Sequence, residues 1–454
     1  MERRIPLWVL LLCLLLAALF MVAFGWAVRS TTAGSDRSGL FGEAAVAVAS
    51  FPTLVKDSIS QLAAYGSGDY VDREFAVPRP ALDLAGFTAV STPAEVAIPG
   101  LLLRRSGTPA RGWRILIGTY RINDTIQHAA LLLSPALSVA KALILEDAAV
   151  GDEEPNTTPR IFPHGATLLD DGSLAFTFDG GSSLQSVDLC GGRRWTTAGP
   201  HGGFHHAVSR DDDGTLWTFT GSTNIAQVSA ETGEILRSFS MQEVIDANPA
   251  IDILELRRLH PDNPRGNDRN TTGKWLEEEL HLNDVDPLPD ALAAAFEGFA
   301  PGDLVISARS VNLVFVLDPD SLKVKWWRVG ATQRQHDPDW QPNGELTVFN
   351  NRMSRDYSEI VAIDPQTFRS RVLFDGRRND FYTRVRGKHQ IMPTGHLVVT
   401  SSQQGRAFEV APDGEVVLEF VNTKPATADT NYVLSELIWV PSALIDTGIS
   451  QCEN

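Results

Sequence analysis

The chain has 454 residues, of which 43% are hydrophobic and 21% charged, and 56 acidic against 39 basic side chains give a formal net charge of −17. That balance argues against a nucleic-acid surface and speaks for solubility more than for any particular partner. It also allows a large buried core.

The first element is apolar. Between Arg4 and Arg29 no charged residue occurs, and IPLWVLLLCLLLAALFMVAFGWAV is long enough, at about 1.5 Å per residue, to cross a bilayer core of about 30 Å. A cleavable signal carries a shorter apolar stretch of about 7 to 15 residues. Residues 1–30 are therefore expected to be a retained signal anchor, although Gly25, Trp26 and Ala27 offer a peptidase small residues. Arg3 and Arg4 outweigh Glu2, so the N-terminus is expected in the cytoplasm and everything after Ser30 outside it, periplasmic or extracellular. Cys13 lies in the span, leaving Cys190 and Cys452 as a pair that an oxidising compartment would allow to bridge. The alternative is two unrelated small hydrophobes.

Residues 31–110 read as a stalk and packing region: TTAGSDRSG is linker-like, and GEAAVAVASFPTLVKDSISQLAAY has helical apolar spacing. From about residue 112 short apolar strands alternate with Asp-Gly, Asn-Gly and Pro-Asp turns, an all-β texture. These strands repeat. From His164, His206 and His336 a glycine follows eight positions later (Gly172, Gly214, Gly344) and a leucine ten later (Leu174, Leu216, Leu346). KHQIMPTGHLVV is a contracted copy, in which Gly395 follows His389 by six. Each unit holds about four strands in roughly 40 to 55 residues, the size of a propeller blade. The expected fold is thus an all-β, six-bladed β-propeller over residues 111–454, preceded by the transmembrane helix and a short helical stalk. Blades are expected near 112–150, 157–198, 201–240, 275–330, 331–375 and 380–421, with an insertion between blades near 241–300 and a closing strand at 432–440.

Blade symmetry would carry His164, His206, His281, His336 and His389 to comparable places at one mouth of the central channel. The plainer alternative is that they tie blades together. His205 is expected to be structural, because strand alternation turns it to the opposite face. The sequence holds no Gly-x-x-x-x-Gly-Lys-Ser/Thr loop, and Arg386-Gly387-Lys388-His389 lacks the leading glycine, so no nucleotide cofactor is expected. No Cys-x-x-Cys or His-Glu-x-x-His occurs, and no metal is assigned, although a ring of histidines is able to hold a divalent ion. Residues 151–159 read as a solvated loop, and sequons stand at Asn123, Asn156 and Asn270.

HHAVSRDDDGTLW, HLNDVDPLP with FAPGDLVISARSVNLVFVLDP, QHDPDWQPNGELTVFNN and HQIMPTGHLVVTSSQQGRAFEVAPDGEVV resemble the arylsulfotransferases over about residues 112–440, specifically in these four segments. The resemblance implies a six-bladed propeller without a nucleotide donor, in which a sulfuryl group passes from a phenolic sulfate ester to an acceptor phenol through a sulfated histidine. It places that nucleophile on His336, a His-x-Asn pair on His281 and Asn283, a sulfate-binding arginine on Arg309 and a further histidine on His206. His336 stands only 27 positions after Arg309, where better studied members carry a long insertion, and the aromatics that sandwich a phenol have no clear match.

The residue types suit this chemistry in their own right. Arg309 offers a planar fork to two sulfate oxygens, and a neutral imidazole is a competent nucleophile near pH 7. His336 is expected to attack, His206 or His281 to hold sulfate and assist the leaving group, and Asn283, His164 and His389 to bind or orient substrate. Two other readings stand beside it: a membrane-tethered propeller that binds a ligand or protein without chemistry, and an aryl sulfate hydrolase on the same histidine.

Overall fold

The computed structural model describes residues 6–32, 39–67, 76–78, 83–148, 162–179, 181–200, 202–251, 280–353, 355–425, 430–450 and 452. The chain divides into two compact units, Met1–Tyr70 with Leu256–Leu276 and Val71–Glu255 with Glu277–Asn454. The described part of the first unit is two helices, Leu7–Thr32 and Gly39–Ser67. The first exposes Leu11, Leu14, Phe20 and Val22 on every side, a pattern that calls for an apolar solvent. Among the described residues it is the one helix long and apolar enough to cross a membrane.

The second unit is the expected six-bladed propeller: six antiparallel sheets in radial order, five of four strands and the sixth of four strands extended at its outer edge by two more. The innermost strands are Phe162–Leu168, Phe204–Arg210, Leu282–Pro287, His336–Trp340 and Lys388–Ile391 in blades II to VI. Blade I takes its innermost strand from the far end of the sequence. Leu434–Val440 pairs antiparallel with Trp113–Ile122, from Leu434 opposite Gly118 to Val440 opposite Trp113. The expected closing strand therefore shuts the ring.

The repeated glycine has a conformational reason. Gly172, Gly214, Gly344 and Gly395 have φ between +79° and +83°, and their N–H groups donate to the carbonyls of Leu169, Asp211, Gln341 and Met392. Each is the fourth residue of its hairpin loop, where a Cβ would be strained. Asp171 and Asp213 brace two of these loops by accepting the Ser173 and Thr215 N–H groups at 2.9 Å. The leucine two residues on stands at or next to the start of the second strand and is buried. The core fills the gaps between successive sheets, as where Ile115 and Ile117 of blade I meet Phe176 and Phe178 of blade II, or Val305 and Val316 of blade IV meet Val348 and Val361 of blade V.

Two boundaries differ from the sequence expectation. Leu101–Arg105 pairs with the outer strand of blade VI, and Thr88–Ala89 extends that sheet again, so the propeller takes in residues before 111. The DALAAAFEGF segment lies inside blade IV, in the loop between Leu282–Pro287 and Leu304–Ala308, and forms only a short 3-10 turn at Ala293–Ala295. Its apolar side chains serve packing instead: Phe296 is buried edge-on against Trp340 of blade V at 4.8 Å. Residues 252–279 of the expected insertion lie outside the described residues.

Cys190 and Cys452 form a disulfide, with Cα atoms 5.1 Å apart across 262 residues of sequence. It joins the loop between the two outer strands of blade II to the turn that follows the helix Ser442–Ser450. That helix follows directly on the closing strand and buries Ile445 near Leu189.

Candidate functional site

The inner strands do not run straight. Ladder register shifts by a bulge between Pro163 and Ala166, His205 and Val208, Leu282 and Asp284, and His336 and Pro338. Backbone with positive φ accompanies them, at Gly165 (102°), His206 (66°), His281 (48°) and Asp337 (55°). Bulges re-aim side chains and are common beside functional sites. Here they turn successive side chains toward one pocket of about 560 Å³, lined by His164, His205, His206, His281, Arg309 and His336 together with Asp179, Arg386, Phe204 and Val385.

The bulge corrects the reading of His205. Alternation assigned it to the opposite face, but His206 and Ala207 stand unpaired in the ladder and the left-handed backbone at His206 breaks the period of two. Both rings reach the pocket, with Nδ1 atoms 2.7 Å apart. The direction of this hydrogen-bond chain follows from its ends. His205 Nε2 donates to the Gly221 carbonyl, so His205 Nδ1 accepts from His206 Nδ1, and His206 Nε2 then accepts from His281 Nε2 at 3.1 Å. Burial is the main reason that His164 and His206 have pKa values well below the ordinary histidine range, and it lowers that of His205 too. His206 is therefore neutral at pH 7.

His336 is 3% exposed and held by a partner that the sequence reading did not name. Asn351 Nδ2 donates to the carbonyls of Thr383 at 3.0 Å and Arg386 at 2.6 Å, which turns Oδ1 onto His336 Nδ1 at 2.7 Å. An amide oxygen only accepts, so Nδ1 carries the proton and Nε2 keeps its lone pair. The Arg386 N–H donates to that Nε2 at 3.2 Å. Burial above all pushes the imidazole down to about 3, against the Asn351 hydrogen bond and with help from the Arg309 charge.

Arg309 follows Leu304–Ala308 in a 3-10 turn and faces the pocket beside a second cation, Arg386, whose guanidinium covers the Phe162 ring at 3.3 Å. Burial lowers Arg386 only to about 10, so it stays charged. The signal for Arg386 was the contracted blade VI repeat. Eight residues before Gly395 stands Gly387, not a histidine, and its φ of 117° with the Phe349 ring 2.4 Å from a would-be Cβ leaves no room for a side chain. Arg386 therefore fills the pocket from blade VI.

For the same reason His389, two positions deeper, does not line the pocket. Its Nδ1 donates to Asp337 Oδ2 at 2.8 Å and its Nε2 lies 2.8 Å from Thr347 Oγ1. Lys388 completes this buried group, 2.5 Å from Asp284 and 2.8 Å from Asp337. Glu436 nearby is pushed up to about 8 by burial. Asn283 also sits behind the pocket, where its Nδ2 donates to the Gln335 carbonyl at 2.8 Å, bracing the residue before His336. Two donor sets have the spacing of metal ligands: His164, Asp179 and His206 at the pocket, and Asp337, Asp339 and His389 below it. The second already holds the Lys388 ammonium.

The family model described as arylsulfotransferase (ASST) matches residues 165–423. Among solved structures the chain is similar to a protein of unknown function from Bacteroides caccae, with 12% identity over 72% of this chain and 98% of that chain and a TM-score of 0.46. It is similar to a chain of a nidogen/laminin complex, with 11% identity over 72% and 97% and a TM-score of 0.43. Virginiamycin B lyase from Staphylococcus aureus gives 13% identity over 65% and 87%, with a TM-score of 0.36. No curated protein matches.

Proposed function

The chain belongs to the arylsulfotransferase family, and we propose that its pocket moves a sulfuryl group from a phenolic sulfate ester to an acceptor phenol through a covalent intermediate on His336. The observation that carries this reading is the fixed tautomer of His336: Asn351 holds the proton on Nδ1, which leaves the lone pair on Nε2 of a pocket-lining ring, where the Arg386 N–H at 3.2 Å must yield to the ester.

In the proposed reaction the ester's sulfate lies between Arg309 and Arg386, whose guanidinium groups face the negative charge on its oxygens. The Nε2 lone pair attacks sulfur while the sulfur–oxygen bond to the aryl group breaks, and its electron pair leaves with the phenolate. The N–H that neutral His281 offers to His206 can instead turn toward that oxygen as a hydrogen-bond donor, and the departing phenolate takes its proton from solvent. The product on the protein is an Nε2-sulfated imidazole still bonded through Nδ1–H to Asn351. An acceptor phenol then loses its proton to the histidine pair and attacks sulfur, and the nitrogen–sulfur bond returns its electrons to Nε2. No metal or cofactor enters these steps.

A nitrophenyl or umbelliferyl sulfate, mixed with the protein before any acceptor is added, should release one phenol per chain in a burst and leave the mass of one sulfuryl group on the protein. Absence of both across several aryl sulfates would leave a binding propeller as the better reading. A label that decays to free sulfate while added phenols are ignored would make it a hydrolase.

We also place the propeller outside the cytoplasm, tethered by the Leu7–Thr32 helix. The arginines at 3 and 4 and the Cys190–Cys452 bridge support that side. In cells alkylated before lysis and without reductant, Cys190 and Cys452 should stay unlabelled and become reactive only after reduction. Free labelling of both at the outset would put the propeller in the cytoplasm.

A further inference from the structure

The pocket carries a second arrangement that the sulfuryl chemistry does not require. His164 from blade II and His206 from blade III bring their rings to 4.5 Å between centroids. Asp179, at the end of Leu174–Asp179, sets its Oδ2 3.7 Å from His164 Nδ1. One donor atom from each of the three lies within 4.8 Å of the others. His164 is 8% exposed, yet its Nδ1 has no hydrogen-bond partner among the described residues. A buried polar atom in that state asks for an explanation, and here it lies beside a carboxylate and a second imidazole at the edge of a cavity.

Two imidazoles and one carboxylate form a donor set suited to borderline divalent ions, which bind nitrogen at about 2.0–2.1 Å and carboxylate oxygen at about 2.0–2.2 Å. We propose that His164, Asp179 and His206 hold one divalent transition-metal ion of the zinc type, with its remaining coordination positions open to the pocket. Arg309 and Arg386 line the same cavity and oppose the charge of the ion. The Asp179 carboxylate offsets part of that, and an anion on an open position would offset more. The Asp337, Asp339 and His389 cluster is not a rival, because Lys388 already supplies its cation and His389 already bonds Asp337. The site does not depend on sulfuryl transfer. It does intersect it, since a metal on His206 takes the Nε2 lone pair that now accepts the His281 N–H and so removes one of the two histidines beside the leaving phenol, and a loaded protein should transfer more slowly.

The test uses the full chain, stripped with a chelator and titrated with Zn²⁺ alone against a chromophoric competitor. One ion per chain with micromolar or tighter affinity is expected, and Asp179→Asn and His164→Gln should each weaken it at least tenfold. His396→Gln, in the blade VI hairpin, should leave it unchanged. Co²⁺ in the unmodified protein gives a second measurement that does not rely on variants: an intense visible band of four- or five-coordinate cobalt is expected. A weak, six-coordinate aquo-like spectrum overturns the proposal, as does Zn²⁺ binding that both variants leave intact. Because no ester is present, these results stand apart from the burst and label at His336, measured in metal-free protein.

Discussion

His336→Ala and His336→Gln should each abolish both the phenol burst and the covalent label, leaving no rate above that of a folded control. The loss should be complete because His336 is the pocket imidazole whose tautomer a side-chain amide fixes with the lone pair on Nε2. His205, His206 and His281 form one hydrogen-bonded chain and His164 Nδ1 has no hydrogen-bond partner among the described residues, whereas His336 pairs a protonated Nδ1 on Asn351 with an Nε2 lone pair that accepts the Arg386 N–H at 3.2 Å. The pH profile sharpens the test. An imidazole with the ordinary value of about 6.5 loses roughly 25-fold of its neutral form between pH 7 and pH 5. His336, pushed down to about 3, remains neutral over that whole range, so kcat/KM for the burst, which reports the free protein, should fall less than threefold. Retention of the label in either variant, or an acid limb near 6.5 that belongs to His336, would remove it as nucleophile.

Arg309→Ala should fold and yet slow label formation by about 10²- to 10³-fold, the effect of removing one preorganised electrostatic contact worth roughly 3 to 4 kcal/mol. Sulfuryl transfer spreads negative charge over equatorial oxygens, much as phosphoryl transfer does, so cations aimed at those oxygens supply most of the available stabilisation. Arg386 remains in the variant and limits the loss. Arg309→Lys should recover part of it, since an ammonium keeps the charge but not the fork. The measurement is the single-turnover rate at saturating ester alongside the melting temperature. A loss below tenfold in a variant that melts like the parent would take Arg309 out of the sulfate site.

The sequence carried the fold because its punctuation is mechanical: a glycine eight residues after a histidine marks a left-handed hairpin position, and the leucine after it marks a buried strand start. Four of the five repeat-derived histidines, together with Arg309, meet at one pocket, as spacing and resemblance together suggested. What the spacing did not reveal were departures from ideal strands. A two-residue bulge at His206 and Ala207 brought the His205 and His206 rings to the same pocket, and a two-residue contraction in blade VI moved His389 into the channel wall and brought Arg386 forward. Asn351, which fixes the His336 tautomer, follows the blade's second strand and faces the ring only through the fold. Asn283 was read as a pocket group, but its amide reaches the Gln335 backbone instead.

The closing strand also sets a timetable for biogenesis. Trp113–Ile122 of blade I is made early, whereas its inner neighbour Leu434–Val440 emerges about 320 residues later, which at about 5–20 residues per second is a wait of roughly a quarter of a minute to a minute. Throughout that interval the nascent ring is an open arc whose leading sheet offers unsatisfied backbone groups to any passing strand. A chaperone that shields that edge, or a pace of synthesis and export that shortens the exposure, would therefore govern how much functional protein accumulates, independently of how stable the finished ring is.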